Sequence, residues 1–114
     1  MPPSNIEDQD RINHILAECE FLLALKPTIS PSRLETDGII FRAVCYSFVI
    51  IGESCHHLSA GYKATIPEID WPLPYLMRNI SVHSYNSVDS QILWDTIIKE
   101  VPKLQIYISQ TDLV

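Results

Sequence analysis

The chain has 114 residues, of which 46% are hydrophobic and 19% charged, and a net charge of −6 with histidine neutral. That length fits one domain, residues 1–114, with enough chain to bury a core unaided, and the composition excludes disordered and collagen-like sequences. The acidic balance excludes a broad basic surface for long duplex nucleic acid and leaves room for a local site that holds one phosphate.

The apolar spacing is helical. Ile12, Ile15, Leu16, Cys19, Leu22 and Leu23 recur at three and four, which predicts a first helix. Ser4 or Asn5 can cap it, Glu7 and Asp8 suit its first turn, and Pro27 ends it. Prolines 27 and 31 with two serines predict a loop. A second helix is expected from about Leu34 to Ser59, with one stripe through Ile40, Val44, Ile51 and Leu58 and another through Phe41, Cys45, Phe48 and Val49. A helix apolar on two faces is central or has a second partner, and the extra stripe points to a homodimer. Residues 61–70, with Gly61 and Pro67, read as a loop. A third helix opens at Trp71 with Pro72 and Pro74 in its first turn, where the missing N–H costs nothing. Residues 84–87 read as a turn. The last helix starts near Asp89 or Ser90 and runs through Leu93, Ile97, Val101, Leu104 and Ile108, with Pro102 expected to kink or break it. The expected fold is all-α, an up-and-down four-helix bundle with an extra short or kinked C-terminal helix allowed.

Cys19, Cys45 and Cys55 are an odd set without a C-x-x-C pair, which predicts buried, reduced thiols and neither a disulfide framework nor a zinc site. The polar first ten residues lack the basic and apolar regions of a secretory signal. The most apolar run, Phe48–Gly52, falls far short of the roughly 20 residues that span a bilayer. A cytoplasmic protein with no membrane partner is expected.

The polar residues that carry chemistry cluster late in the third helix: Arg78, Asn79, His83 and Tyr85. Asn79 and His83 are four apart and share a face, so the amide could orient the imidazole. Arg78 and His83 lie about 140° apart around the axis and could flank a ligand crossing the helix end. An imidazole that ordinarily titrates near neutrality suits proton transfer to or from a ribose hydroxyl, and a guanidinium suits a phosphate in cleavage. Tyr85 could position the phosphate or stack on a base. On spacing alone, a capping pair or ordinary surface polars fit as well.

The string Arg78-Asn-Ile-Ser-Val-His83-Ser-Tyr85 resembles the Arg-x4-His-x-Tyr motif of HepT-like toxins, in the HEPN ribonuclease superfamily. Pro72 before the motif, Val88-Asp89 and Leu93-Trp94-Asp95 after it, and Ile50-Ile51-Gly52-Glu53 upstream agree, so the likeness spans roughly residues 8–108. The resemblance implies an all-α, homodimeric, metal-independent endoribonuclease with its cleft at the dimer interface, no cofactor, and Arg78 and His83 as catalytic pair. It also implies an MntA-like nucleotidyltransferase antitoxin that blocks the site by transferring AMP to Tyr85. Ser84, Asn86 and Ser87 depart from the acid, aromatic and glycine usual around the tyrosine, which leaves open the alternative of a catalytically degenerate binding module that docks and regulates a nucleotidyltransferase. Under the resemblance Glu53 supports the cleft; by itself it could equally pair with an arginine such as Arg42. His56 and His57 are adjacent, point about 100° apart and read as surface residues at a helix C-terminus. Trp71 and Trp94 read as packing residues, Trp71 with a lesser reading as a base-stacking surface, and Lys63 as solvated or as a charge near the cleft.

Overall fold

The computed structural model describes residues 6–83 and 89–110, with backbone alone for residue 6 and residues 80–83. Helix α1 (Ile6–Leu25) buries Ile12, Ile15, Cys19 and Leu22 along the face the spacing predicted. It stops one residue before a short 3-10 turn, Lys26–Thr28, that contains Pro27. Its proposed caps, Ser4 and Asn5, lie outside the described residues.

The next segment differs from expectation. Pro31 does not lie in a loop: it opens α2 (Pro31–Thr36), with the Ser30 hydroxyl accepting from the Arg33 N–H at 3.1 Å. Asp37 then ends α2 and caps α3 (Gly38–His57), accepting from the N–H groups of Ile39 at 3.1 Å and Ile40 at 3.2 Å. The Ile40 N–H foremost, then the Ile39 N–H and Arg33, hold the Asp37 carboxyl below its usual range. One predicted helix is therefore two, with a corner at Asp37. A similar cap, Ser59 accepting from the Tyr62 N–H at 3.2 Å, turns the start of the predicted loop into α4 (Ala60–Ala64). Helix α5 spans Pro72–His83 and α6 spans Ser90–Gln110, the latter continuous through Pro102. The buried stripe Leu93, Ile97, Val101, Leu104, Ile108 runs on either side of that proline, so packing sustains the helix despite one lost hydrogen bond.

The fold is all-α: α1, α3, α5 and α6 are the four long helices expected, and no strand occurs among the described residues. Helix α3 packs between α1 and α5, while α6 lies against α1 and α2. The second stripe of α3 is spent inside the chain: Cys45 and Phe48 are buried and Phe41 packs on the core. The large apolar residues that α3 leaves exposed are Ile39 and Tyr46, 82% and 67% exposed. By length and composition α3 could cross a membrane, with mean hydropathy 1.5, a longer apolar stretch than the run at Phe48 suggested. Its packing between two helices makes it the core helix here.

All three cysteines are buried and unbridged. Burial, aided by Glu18, pushes the Cys19 thiol up to about 12, and burial with Cys19 nearby pushes Cys55 higher still. Buried Asp8 reaches from α1 to the start of α4, accepting from the Ser59 N–H at 2.9 Å and hydroxyl at 2.6 Å.

Candidate active site

Arg78 lies on the side of α5 that faces α3, and the two backbones approach closely there because α3 presents Gly52. A β-carbon at position 52 would overlap that of Arg78 and stand 2.6 Å from the Pro74 carbonyl oxygen. The Arg78 side chain is 22% exposed. Its Nη1 donates to Asn79 Oδ1 at 2.9 Å, and its Nη2 faces Glu53 Oε2 at 3.5 Å. Its guanidinium carbon is 5.6 Å from the centre of the Tyr75 ring. Among the described residues the buried Nε has no hydrogen-bond partner. The long contact to a half-exposed Glu53 is a weak, exchangeable ion pair, so one edge of the guanidinium fork can be taken over by another oxyanion.

Glu53 thus stands beside Arg78 and not Arg42, which instead donates to the carbonyl of Gly38 at 3.1 Å. Asn79 also engages Arg78. Because a guanidinium only donates, Asn79 must turn its oxygen to Arg78, and its Nδ2 remains to donate elsewhere. The register of α5 places position 83 one turn beyond Asn79 on the same face. The side chain of His83, the whole of Tyr85 and the expected turn at 84–87 lie outside the described residues.

Two residues that the sequence reading did not assign to the site stand beside Arg78. Tyr75 lies one turn before it, and His56, exposed in the last turn of α3, stacks on the Tyr75 ring with centroids 4.0 Å apart and planes at 16°. His57 meets His56 edge-on at 5.2 Å. Lys63 donates to the carbonyl of His56 at 3.3 Å, closing the end of α3. Trp71 is a packing residue: its indole N–H donates to the Lys63 and Ile66 carbonyls at 3.1 Å each, and its ring meets Tyr62 at 6.4 Å. Trp94 packs half-buried on the core. Among the described residues no group of three or more His, Cys, Asp or Glu is placed to hold a metal ion.

Two grooves flank the arginine. One, of about 300 Å³, runs along the exposed face of α5 and is lined by Asp70, Pro72, Leu73, Tyr75, Leu76 and Asn79. The other, also about 300 Å³, lies between α1 and α3, where three acids, Glu7, Asp10 and Glu53, line it with Arg11, His14 and His57. The α5 groove carries one acid, Asp70, so a phosphate chain meets fewer carboxylates there.

Residues 15–111 match the family model described as "Ribonuclease HepT-like". A protein of Caldanaerobacter subterraneus subsp. tengcongensis named "Putative RNase TTE0752" is 35% identical over 94 residues, covering 82% of this chain and 84% of its own. "Probable ribonuclease HepT" of Thermococcus cleftensis is 35% identical over 63 residues, 55% of this chain and 57% of its own. "Putative RNase MJ1380" of Methanocaldococcus jannaschii is 25% identical over 91 residues, 80% of this chain and 84% of its own. No solved structure gives a significant match.

Proposed function

Because the chain belongs to the ribonuclease HepT-like family, we propose that it is a metal-independent endoribonuclease, acting as one domain over residues 1–114, with Arg78 and His83 as its catalytic pair. The observation that carries this is the setting of Arg78: a half-buried guanidinium seated on Gly52, oriented by Asn79, and held by an ion pair loose enough to exchange for a phosphate. In the reaction His83 takes the proton from the ribose 2′-hydroxyl and the 2′-oxygen attacks phosphorus. The bond to the 5′-oxygen breaks, and that oxygen leaves with a proton from water or from a second imidazolium. The products are a 2′,3′-cyclic phosphate and a 5′-hydroxyl. Arg78 stabilises the charge that builds on the equatorial oxygens; loss of such a donor costs about 10²–10³ in rate. Asn79 and Glu53 are positioning residues that set the rotamer of Arg78.

The protein acts as the toxin of a toxin–antitoxin pair in the cytoplasm, on tRNA or mRNA, as a homodimer. The exposed Ile39 and Tyr46 lie on the same side of α3 as Glu53, seven residues apart in each step, and support a dimer that brings two copies of the site together. Its antitoxin is an MntA-like nucleotidyltransferase that transfers AMP to Tyr85, which would set a phosphodiester beside Arg78. After incubation with such an enzyme and ATP, Tyr85 is expected to gain mass in multiples of AMP, and Tyr85→Phe to escape modification.

The test of the ribonuclease is cleavage of end-labelled tRNA and mRNA in EDTA by the wild-type chain, His83→Ala and Arg78→Ala. Wild type should cleave, and His83→Ala should be slower by about 10²–10⁴-fold, the usual worth of a positioned acid–base group. Equal cleavage by His83→Ala would remove that residue from the mechanism. Cleavage by none of the three would favour the non-catalytic module that docks a nucleotidyltransferase.

A further inference from the structure

We propose that the groove on the exposed face of α5 seats the nucleobase adjoining the phosphate at Arg78. The proposal rests on the ribonuclease reading and assigns to that site a recognition element outside the Arg-x4-His-x-Tyr motif.

The chemistry of the walls fits a flat, mostly apolar ring. Leu76 is 54% exposed and stands with Pro72, Leu73 and Tyr75 in the groove, which gives it a mostly apolar wall. Tyr75 does not swing freely: His56 stacks on its ring at 4.0 Å, which fixes the edge that Tyr75 turns to the groove. At about 300 Å³ the space lies at the lower end of ligand sites and suits one base, not a larger cofactor.

The charges give the occupant a direction. The Arg78 cation lies 5.6 Å from the Tyr75 ring, so a base against Tyr75 has a guanidinium beside it for the attached phosphate. The carboxylate of Asp70 lines the opposite end, before α5 begins, and repels a phosphate there. Position 83 follows Asn79 by one turn, about 6 Å along the axis. Base, amide and reacting ribose are thus laid out in order along one face.

Asn79 adds a polar group to the same wall. Its oxygen accepts from Arg78 at 2.9 Å, which turns its Nδ2 to donate to a carbonyl oxygen or a ring nitrogen of the base. Every base presents such an acceptor.

The experiment uses His83→Ala, so that ligands are not processed, and titrates uridine 3′-monophosphate, adenosine 3′-monophosphate and inorganic phosphate by calorimetry or NMR. Both nucleotides should bind at least about fivefold tighter than inorganic phosphate. Adding Leu76→Ser should bring them to the level of inorganic phosphate, with phosphate binding unchanged as the sign of an intact fold. Equal binding of the nucleotides and phosphate, or no effect of Leu76→Ser on the nucleotides, overturns the base subsite. RNA cleavage by the wild type separates the two readings. The nucleotide pattern without cleavage sinks the ribonuclease and keeps the subsite. Cleavage without the pattern does the reverse.

Discussion

Arg78 lies where it does because Gly52 has no side chain: the β-carbon of the arginine occupies the space a residue at 52 would need. Gly52→Ala should therefore be harmful although alanine favours a helix interior by up to about 1 kcal/mol over glycine. The new methyl would meet the Pro74 carbonyl oxygen at 2.6 Å, which is backbone and cannot rotate aside. Overpacking of this kind costs about 1–3 kcal/mol, so α3 and α5 must part. Urea denaturation should show a net loss of about 1 kcal/mol or more. RNA cleavage per folded molecule should fall by at least about tenfold, since small misplacements of a reacting group cost up to about 10². A variant as stable and active as wild type would mean the helices can separate without disturbing Arg78.

Glu53→Gln separates binding from turnover. The Glu53–Arg78 pair is long, at 3.5 Å, and its carboxylate is 42% exposed, so its loss should change stability by less than about 1 kcal/mol. The carboxylate also competes with phosphate for Nη2. Without it, RNA should bind up to about fivefold tighter, the equivalent of about 1 kcal/mol. The rate of the bound complex should fall because Arg78 keeps one fewer orienting partner. Steady-state kinetics would show KM and kcat dropping together; a fall in kcat with KM raised would contradict the competition.

Asp8 and Ser59 form a structural pair 51 residues apart in sequence. Asp8→Ala leaves the Ser59 N–H and hydroxyl without their acceptor beneath α1 and should cost about 1.5–3 kcal/mol. Ser59→Ala removes the hydroxyl bond and the α4 cap, about 1 kcal/mol. In a double-mutant cycle the two losses should be markedly non-additive; simple additivity would show that the contact contributes little.

The buried thiols predict alkaline sensitivity. Cys19 titrates near 12 when folded against 9.0 ordinarily, and Cys55 is also raised. A raised pKa means that the unfolded chain releases the proton first. The stabilisation is complete below about pH 9 and is lost as pH rises from there toward 12. Denaturation at pH 8, 9 and 10 should show stability falling over the last step, with a shallower fall in Cys19→Ala. At pH 8 all three thiols should resist a disulfide reagent until the chain unfolds.

The four long helices were legible because their apolar residues repeat at three and four over many turns. The corner at Asp37 and the short α2 and α4 were missed, although each carries its signal: Ser30-Pro31, Asp37-Gly38 and Ser59 are N-cap residues followed by residues suited to a first turn. Prolines read as loop markers in one place and helix starters in another; what separates the cases is the capping serine before Pro31. Pro102 does not break α6, since a buried stripe on both sides outweighs one lost bond. At the site, Arg78 and Asn79 are legible on α5, and the structure adds that the Asn79 oxygen accepts from the neighbouring guanidinium. Tyr75 was within reach of the same spacing argument. His56 was not: its stacking on Tyr75 depends on how closely α3 and α5 cross, which Gly52 sets and no local pattern announces.

The Asp8–Ser59 contact also gives the first turn of α1 leverage over the far end of the molecule. Asp8 anchors Ser59, Ser59 begins α4, and the carbonyls of Lys63 at its end and of Ile66 just beyond grip the Trp71 indole immediately before Pro72. The last link holds the residue from which α5 departs. A fusion or truncation that unwinds the first turn of α1 would slacken this tether and misalign Arg78 from a distance, so an affinity tag is safer carried at the other terminus.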